Sequence, residues 1–167
     1  MGGAGVDALD GGSGLNTASY MNAAAAVIAS LANQASNTGD AAGDTYANIL
    51  NLAGSAYGDT LSGDAQSNNL FGDAGDDEII GNGGADALNG GGGNNTASYA
   101  GAATAIVANL AMPAGNTGEA TGDSYVDIQN LIGGVYNDTL IGDAQNNILM
   151  GGLGADRLEG AGGNNTA

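Results

Sequence analysis

Aspartate or asparagine recurs at every ninth residue over most of this chain. Within GDAGDDEIIGNGGADALNG (72–90), Asp77 and Asp86 stand nine apart, each followed two residues on by an apolar residue, Ile79 and Leu88. The chain carries 18 acidic side chains against one basic residue, Arg157, for a formal charge of −17. Carboxylates brought together and partly desolvated repel strongly. A divalent cation between them reverses the sign, and carboxylate and backbone carbonyl oxygens are the hard donors that Ca²⁺ takes. Other chemistry is poorly provided for. There is no His, Cys or Lys, which removes the common nucleophiles and general bases. Glu78, Glu119 and Glu159 are too scattered to read as a carboxylate pair for sugar hydrolysis. No catalysis is expected.

The residues that must position these acids repeat with them. Residues 54–98 divide into GSAYGDTLS, GDAQSNNLF, GDAGDDEII, GNGGADALN and GGGGNNTAS. Residues 133–159 give GGVYNDTLI, GDAQNNILM and GGLGADRLE, a further nonamer starts at Gly160, and GGAGVDALD and GGSGLNTAS fill 2–19. Each opens on Gly, has Asp or Asn at its sixth place and a mostly apolar residue at its eighth. A longer period is superposed: NTASY at 16–20 returns at 95–99, and Tyr20, Tyr46 and Tyr57 recur as Tyr99, Tyr125 and Tyr136, an offset of 79. NNTA returns again at Ala167 after only 70 residues, so the first unit holds one extra nonamer. A chain that gains or loses nine residues cleanly is built from stackable rungs, and this one is expected to be a piece of a longer array.

Each nonamer reads as a glycine-rich turn and a three-residue strand. Gly at the first, second and fourth places permits positive φ and close backbone approach, and the sixth-place Asp or Asn closes the turn. Alternation sends only the middle strand residue inward. Two nonamers then make an 18-residue coil, coils stack at about 4.8 Å, and the inward Leu or Ile residues form the core. Stacking at 18 puts Asp59 beside Asp77, Asn68 beside Asp86, Asp138 beside Asp156 and Asn147 beside Asn165. Asp and Asn form turns without metal, but a turn alone does not need a stacked acidic file.

GGAGVDALD and GGLGADRLE match G-G-x-G-x-D-x-U-x at every place, and the chain resembles the repeats-in-toxin (RTX) family of calcium-binding nonapeptide repeats over 2–19, 54–98 and 133–167. The resemblance implies an all-β fold, a right-handed parallel β-roll, with several Ca²⁺ ions held between adjacent coils by sixth-place Asp and turn carbonyls. Carried over, it marks Asp7, Asp59, Asp77, Asp86, Asp138 and Asp156. Asn16, Asn68, Asn95, Asn147 and Asn165 depart from the motif; an amide oxygen still ligates, so weaker sites are expected there. Ala18, Ala97 and Ala167 fall short of the eighth-place hydrophobe, so the roll is expected to loosen or change course at each NTASY.

Two interludes, 20–53 and 99–132, leave the nonamer. AAAAVIASLANQ has helical spacing at Ala24, Val27, Ile28 and Leu31. Its second copy alternates instead, with Ile106, Ala108 and Leu110 on one face before Pro113, which favours a strand continuing the stack. Asp44 and Asp123 fall at a sixth place in GDAAGDTYA and GEATGDSYV, but the register breaks directly after each, so neither is counted as a cation position. The tyrosines are expected in the core or on its rim. Asn94-Asn95-Thr96 and Asn137-Asp138-Thr139 match the glycosylation triplet, which turn composition generates freely.

The acidity excludes nucleic acid as a partner, and no apolar run is long enough to span a bilayer. The glycine-rich start is not a signal peptide, so an export signal is expected elsewhere. The residues and the resemblance together predict a structural module of a secreted bacterial repeat protein, extracellular or on the cell surface, folding into a rigid roll when it binds Ca²⁺. The alternatives are a self-assembling segment of a filament, surface layer or giant adhesin, pairing with copies of itself end-to-end or side-by-side, and an accessory module of a secreted polysaccharide or lipid enzyme.

Overall fold

The computed structural model describes all 167 residues, Met1–Ala167. The chain is a stack of short parallel strands, all but one of three residues, and outside the interludes each falls within the last three residues of a nonamer. In the regular stretch, β5 (Asn51–Ala53), β7 (Asn69–Phe71) and β9 (Ala87–Asn89) pair on one face, and β6 (Thr60–Ser62), β8 (Glu78–Ile80) and β10 (Thr96–Ser98) on the other. Their register is the expected coil length: Leu52 stands opposite Leu70 and Leu70 opposite Leu88, while Leu61 stands opposite Ile79. These middle residues are the core. Leu52, Leu61, Leu70, Ile79, Leu131 and Leu140 are all fully buried, and burying a side chain of that size contributes about 1.5–3 kcal/mol. One such residue per rung makes a continuous but thin core.

The interludes are strands and turns, with no α-helix. β3 (Ile28–Ser30) and β11 (Val107–Asn109) extend the stack with Ala29 and Ala108 buried. Their path is not a simple continuation, however. After β10 the chain passes over one place and lays down β11, which pairs with β14 (Thr139–Ile141) at Val107↔Thr139. It then doubles back through two 3₁₀ turns, Pro113–Gly115 and Gly118–Ala120, with a single antiparallel bridge between Val107 and Thr117. The place it passed over, beside β9, is filled by β12 (Ser124–Val126) at Ala87↔Ser124. β13 (Asn130–Ile132) then pairs with β10 at Thr96↔Asn130 and the nonamer rhythm resumes, with β15 (Leu149–Met150) on β13 and β16 (Arg157–Glu159) on β14.

The first unit does the same: β3 pairs forward with β6, and β4 (Thr45–Ala47) returns to β1 (Ala8–Asp10), while β2 (Thr17–Ser19) pairs with β5. The course change therefore falls just after each NTASY, as the short Ala18 and Ala97 suggest. Both alanines are buried, and two residues on, Tyr20 and Tyr99 bring a large ring into the same core.

Candidate metal centre

The sixth-place side chains turn inward, beneath the first-place glycine of their own nonamer. None of these first-place glycines has positive φ. They are needed because a Cβ at Gly54, Gly72, Gly81 or Gly151 would collide with the carboxylate of Asp59, Asp77, Asp86 or Asp156. Within the nonamers of 2–19, 54–98 and 133–167 left-handed backbone is confined to the second and fourth places, so the sequence-based expectation of positive φ at the first place is corrected there: only close approach operates, whereas Gly39 and Gly118 in the interludes do have positive φ.

Tucked in this way, Asp77, Asp86, Asn95, Asp156 and Asn165 each accept the backbone N–H of their counterpart on the preceding coil. Asp59 N donates to Asp77 Oδ1 at 2.8 Å, Asn68 N to Asp86 Oδ1 at 2.8 Å and Asp77 N to Asn95 Oδ1 at 3.0 Å. Further along, Asp138 N donates to Asp156 Oδ1 and Asn147 N to Asn165 Oδ1, both at 2.9 Å. Stacking by 18 residues thus joins the pairs named from the sequence. The interludes supply the missing rungs: Asp7 N donates to Asp44 Oδ1, Asp86 N to Asp123 Oδ1 and Asn95 N to Gln129 Oε1. Gln129 was not singled out from the sequence, although it stands one coil length before Asn147. Asp44 and Asp123, not counted from the sequence because the register breaks after them, each accept a ladder N–H, while their own N–H groups return to the Ala41 and Ala120 carbonyls.

The second oxygen divides the turns into two kinds. In the nonamers starting at 54, 63, 133 and 142 the fourth place is Tyr57, Gln66, Tyr136 or Gln145, and neither the second nor the fourth residue has positive φ. These turns are closed: the second-place N–H of Asp64, Gly134 and Asp143 points back at Asn68 Oδ1, Asp138 Oδ2 and Asn147 Oδ1 at 2.7–3.0 Å. Ser55 donates its N–H to Asp59 Oδ2 and its hydroxyl to the same carboxylate.

In the nonamers starting at 2, 11, 72, 81, 90, 151 and 160, both places are left-handed, among them Asp73 (φ 80°), Gly75 (φ 121°), Asn82 (φ 65°) and Gly84 (φ 130°). These turns are open, and the second-place N–H no longer reaches the sixth-place side chain. The Oδ2 atoms of Asp7, Asp77 and Asp86 are buried without any hydrogen-bond partner. Asp77 and Asp86 are themselves only 1% and 2% exposed, so solvent does not satisfy them.

Burial pushes the Asp77 carboxyl up to about 6, against the N–H of Asp59, and the neighbouring Asp59, Asp76 and Asp73 charges add to it. Burial pushes Asp86 up to about 7, with Asp123 and Asp64 contributing. An orphaned buried carboxylate oxygen is costly, and a proton or a cation relieves it. No three acidic side chains converge on one point, so a cation here would take the rest of its ligands from backbone carbonyls. All available donors are oxygen, and they fit Ca²⁺.

The interlude acids are satisfied differently. Tyr99 donates its hydroxyl to Asp123 Oδ2 at 2.7 Å and lies 2.6 Å from the Tyr125 hydroxyl, which in turn accepts from Asn116 Nδ2. The proton order follows: Asn116 to Tyr125 to Tyr99 to Asp123. The first unit repeats it with Asn37, Tyr46, Tyr20 and Asp44. Burial raises all four phenols above their ordinary range.

A parallel, coiled stack of nonamers with inward acids beneath glycine turns defines a β-roll of the calcium-binding kind. The chain belongs to the RTX calcium-binding nonapeptide repeat family, whose model matches four times, over residues 1–18, 51–77, 62–97 and 132–167. It is therefore a calcium-binding structural repeat, several ions to the array. The matches leave out 19–50 and 98–131, where the chain doubles back. No curated protein matches the chain. No helix is long and apolar enough to cross a membrane.

Proposed function

We propose that the chain is a calcium-dependent structural module of a secreted bacterial repeat protein, expanded where free calcium is low and rigid outside the cell where it is high. The observation that carries this reading is the pair of orphaned, buried Oδ2 atoms of Asp77 and Asp86. Without a cation they oppose the fold, together with the self-repulsion of a chain at −17. The thin core has little to set against backbone entropy. With a cation, binding free energy becomes folding free energy. The role is mechanical: the ladder and the turns hold coils together. Far-UV circular dichroism during a Ca²⁺ titration of chelator-treated protein tests this, with Mg²⁺ as control. A coil-to-β transition specific to Ca²⁺ is expected; an equally folded state in excess chelator sinks the reading.

A second reading concerns assembly. At one end of the stack β1 and β2 are paired on one side only, and at the other β16 is, while Thr166 bridges to Ile148 beside β15. Unpaired parallel edges accept further rungs, as an end-to-end filament or adhesin shaft requires. Sedimentation and particle images in calcium separate single short rods from fibres.

A further inference from the structure

Sixth-place residues in the open turns meet the backbone of the next coil in two ways. The carbonyl of Gly90 and Oδ2 of Asp77 both lie against the vacant Cβ position of Gly72. One coil on, the carbonyl of Asp127 and Nδ2 of Asn95 lie in the same way against Gly90. There the amide donates to the Asp127 carbonyl at 3.0 Å. Asn16 repeats the contact with the Asn48 carbonyl at 3.0 Å, in another open turn. Where asparagine meets a carbonyl with an N–H, Asp77 meets it with a bare oxygen, and Oδ2 of Asp86 is likewise buried without a donor. Two facing oxygens attract only through a proton or a cation between them.

Closed turns and interludes solve the same problem with other donors: the N–H of Ser55 or Gly134, or the hydroxyls of Tyr20 and Tyr99.

We propose that the ladder takes up calcium selectively. In the central roll a cation enters the open turns of Asp77 and Asp86, while at Asp59, Asn68, Asn95 and Asp123 the protein's own N–H and O–H groups occupy the cation's place. This rests on the reading of the chain as a calcium-dependent roll. It departs from a uniform array in which every sixth-place residue ligates an ion. The central roll is then a metal-dependent stretch held between two interludes whose carboxylates already accept a hydrogen bond from tyrosine.

The test is the number of Ca²⁺ ions bound at saturation by the full chain, from equilibrium dialysis, with circular dichroism in saturating calcium to verify the fold. D77N and D86N are each expected to lose one ion and to need less calcium to fold, because Asn95 shows that asparagine fits this turn. N95D is expected to gain one ion, and D59N to keep the wild-type count. A D59N protein that loses an ion, a D77N protein that keeps the full count, or a folded N95D protein that gains none overturns the selective ladder while leaving calcium-dependent folding intact. A wild-type chain that binds no calcium overturns both.

Discussion

The backbone N–H of Asp59 donates to Oδ1 of Asp77 across 2.8 Å, one coil along the stack. The carboxylates of Asp77, Asp86 and Asp156 are half satisfied in this way by the fold itself, and only the second oxygen of each is left for a cation, a proton or another donor. The consequences of that division are testable site by site.

Gly72→Ala places a methyl group against Asp77 Oδ2 and the Gly90 carbonyl. Overpacking of this kind costs about 1–3 kcal/mol, and here it also displaces a ladder carboxylate. The calcium midpoint for folding is expected to rise. A midpoint equal to that of the wild type means that the carboxylate does not sit beneath this glycine.

Leu70 lies between Leu52 and Leu88 with no exposed surface. Leu70→Ala opens a cavity in a core one residue deep, and a loss of about 2–5 kcal/mol is expected from urea unfolding in saturating calcium. Val126, on the exposed side of β12, serves as the control: Val126→Ala should change stability by no more than about 0.5 kcal/mol.

Tyr99→Phe removes the donor to Asp123 Oδ2 and leaves the Tyr125 hydroxyl without its acceptor. Buried polar groups left unpaired cost about 1–3 kcal/mol, so the variant should unfold at lower urea than the wild type in saturating calcium, with the number of bound ions unchanged. A variant that loses an ion would mean that the tyrosine acts through the metal rather than in its place.

In chelator, pH should act in the reverse of the usual acid sense. The carboxyls of Asp77, Asp86 and Asp123 are raised by burial to about 6, 7 and 6 from an ordinary 3.8. The folded state therefore holds protons that the unfolded state has released, and its stability falls as pH rises between about 4 and 7. More residual β-structure is expected at pH 4.5 than at pH 7.5 in circular dichroism of the metal-free protein. Calcium should erase or invert the trend, because metal and proton compete for the same oxygen.

Much of this architecture is legible in the residues. The nine-residue beat fixes turn and strand length, and two beats fix the coil. The pairing of Leu52 with Leu70 and of Asp59 with Asp77 follows by counting. The division between open and closed turns was also written in the sequence: Tyr57, Gln66, Tyr136 and Gln145 stand where other nonamers carry a fourth-place glycine. Its meaning was not readable there, because it depends on whether a second-place N–H reaches a carboxylate four residues on.

By itself, then, the sequence determined the repeat, the parallel stack and the position of every nonamer acid, since each rests on contacts between neighbouring rungs of known length. The tertiary structure decided the rest. It sent β11 past its place and brought β12 back beside β9, put Gln129, Asp44 and Asp123 into the ladder, and aimed Tyr99 at Asp123. These are contacts between residues 24 to 37 positions apart, outside the 18-residue period. Which carboxylates stay orphaned depends on which donors that path delivers to them.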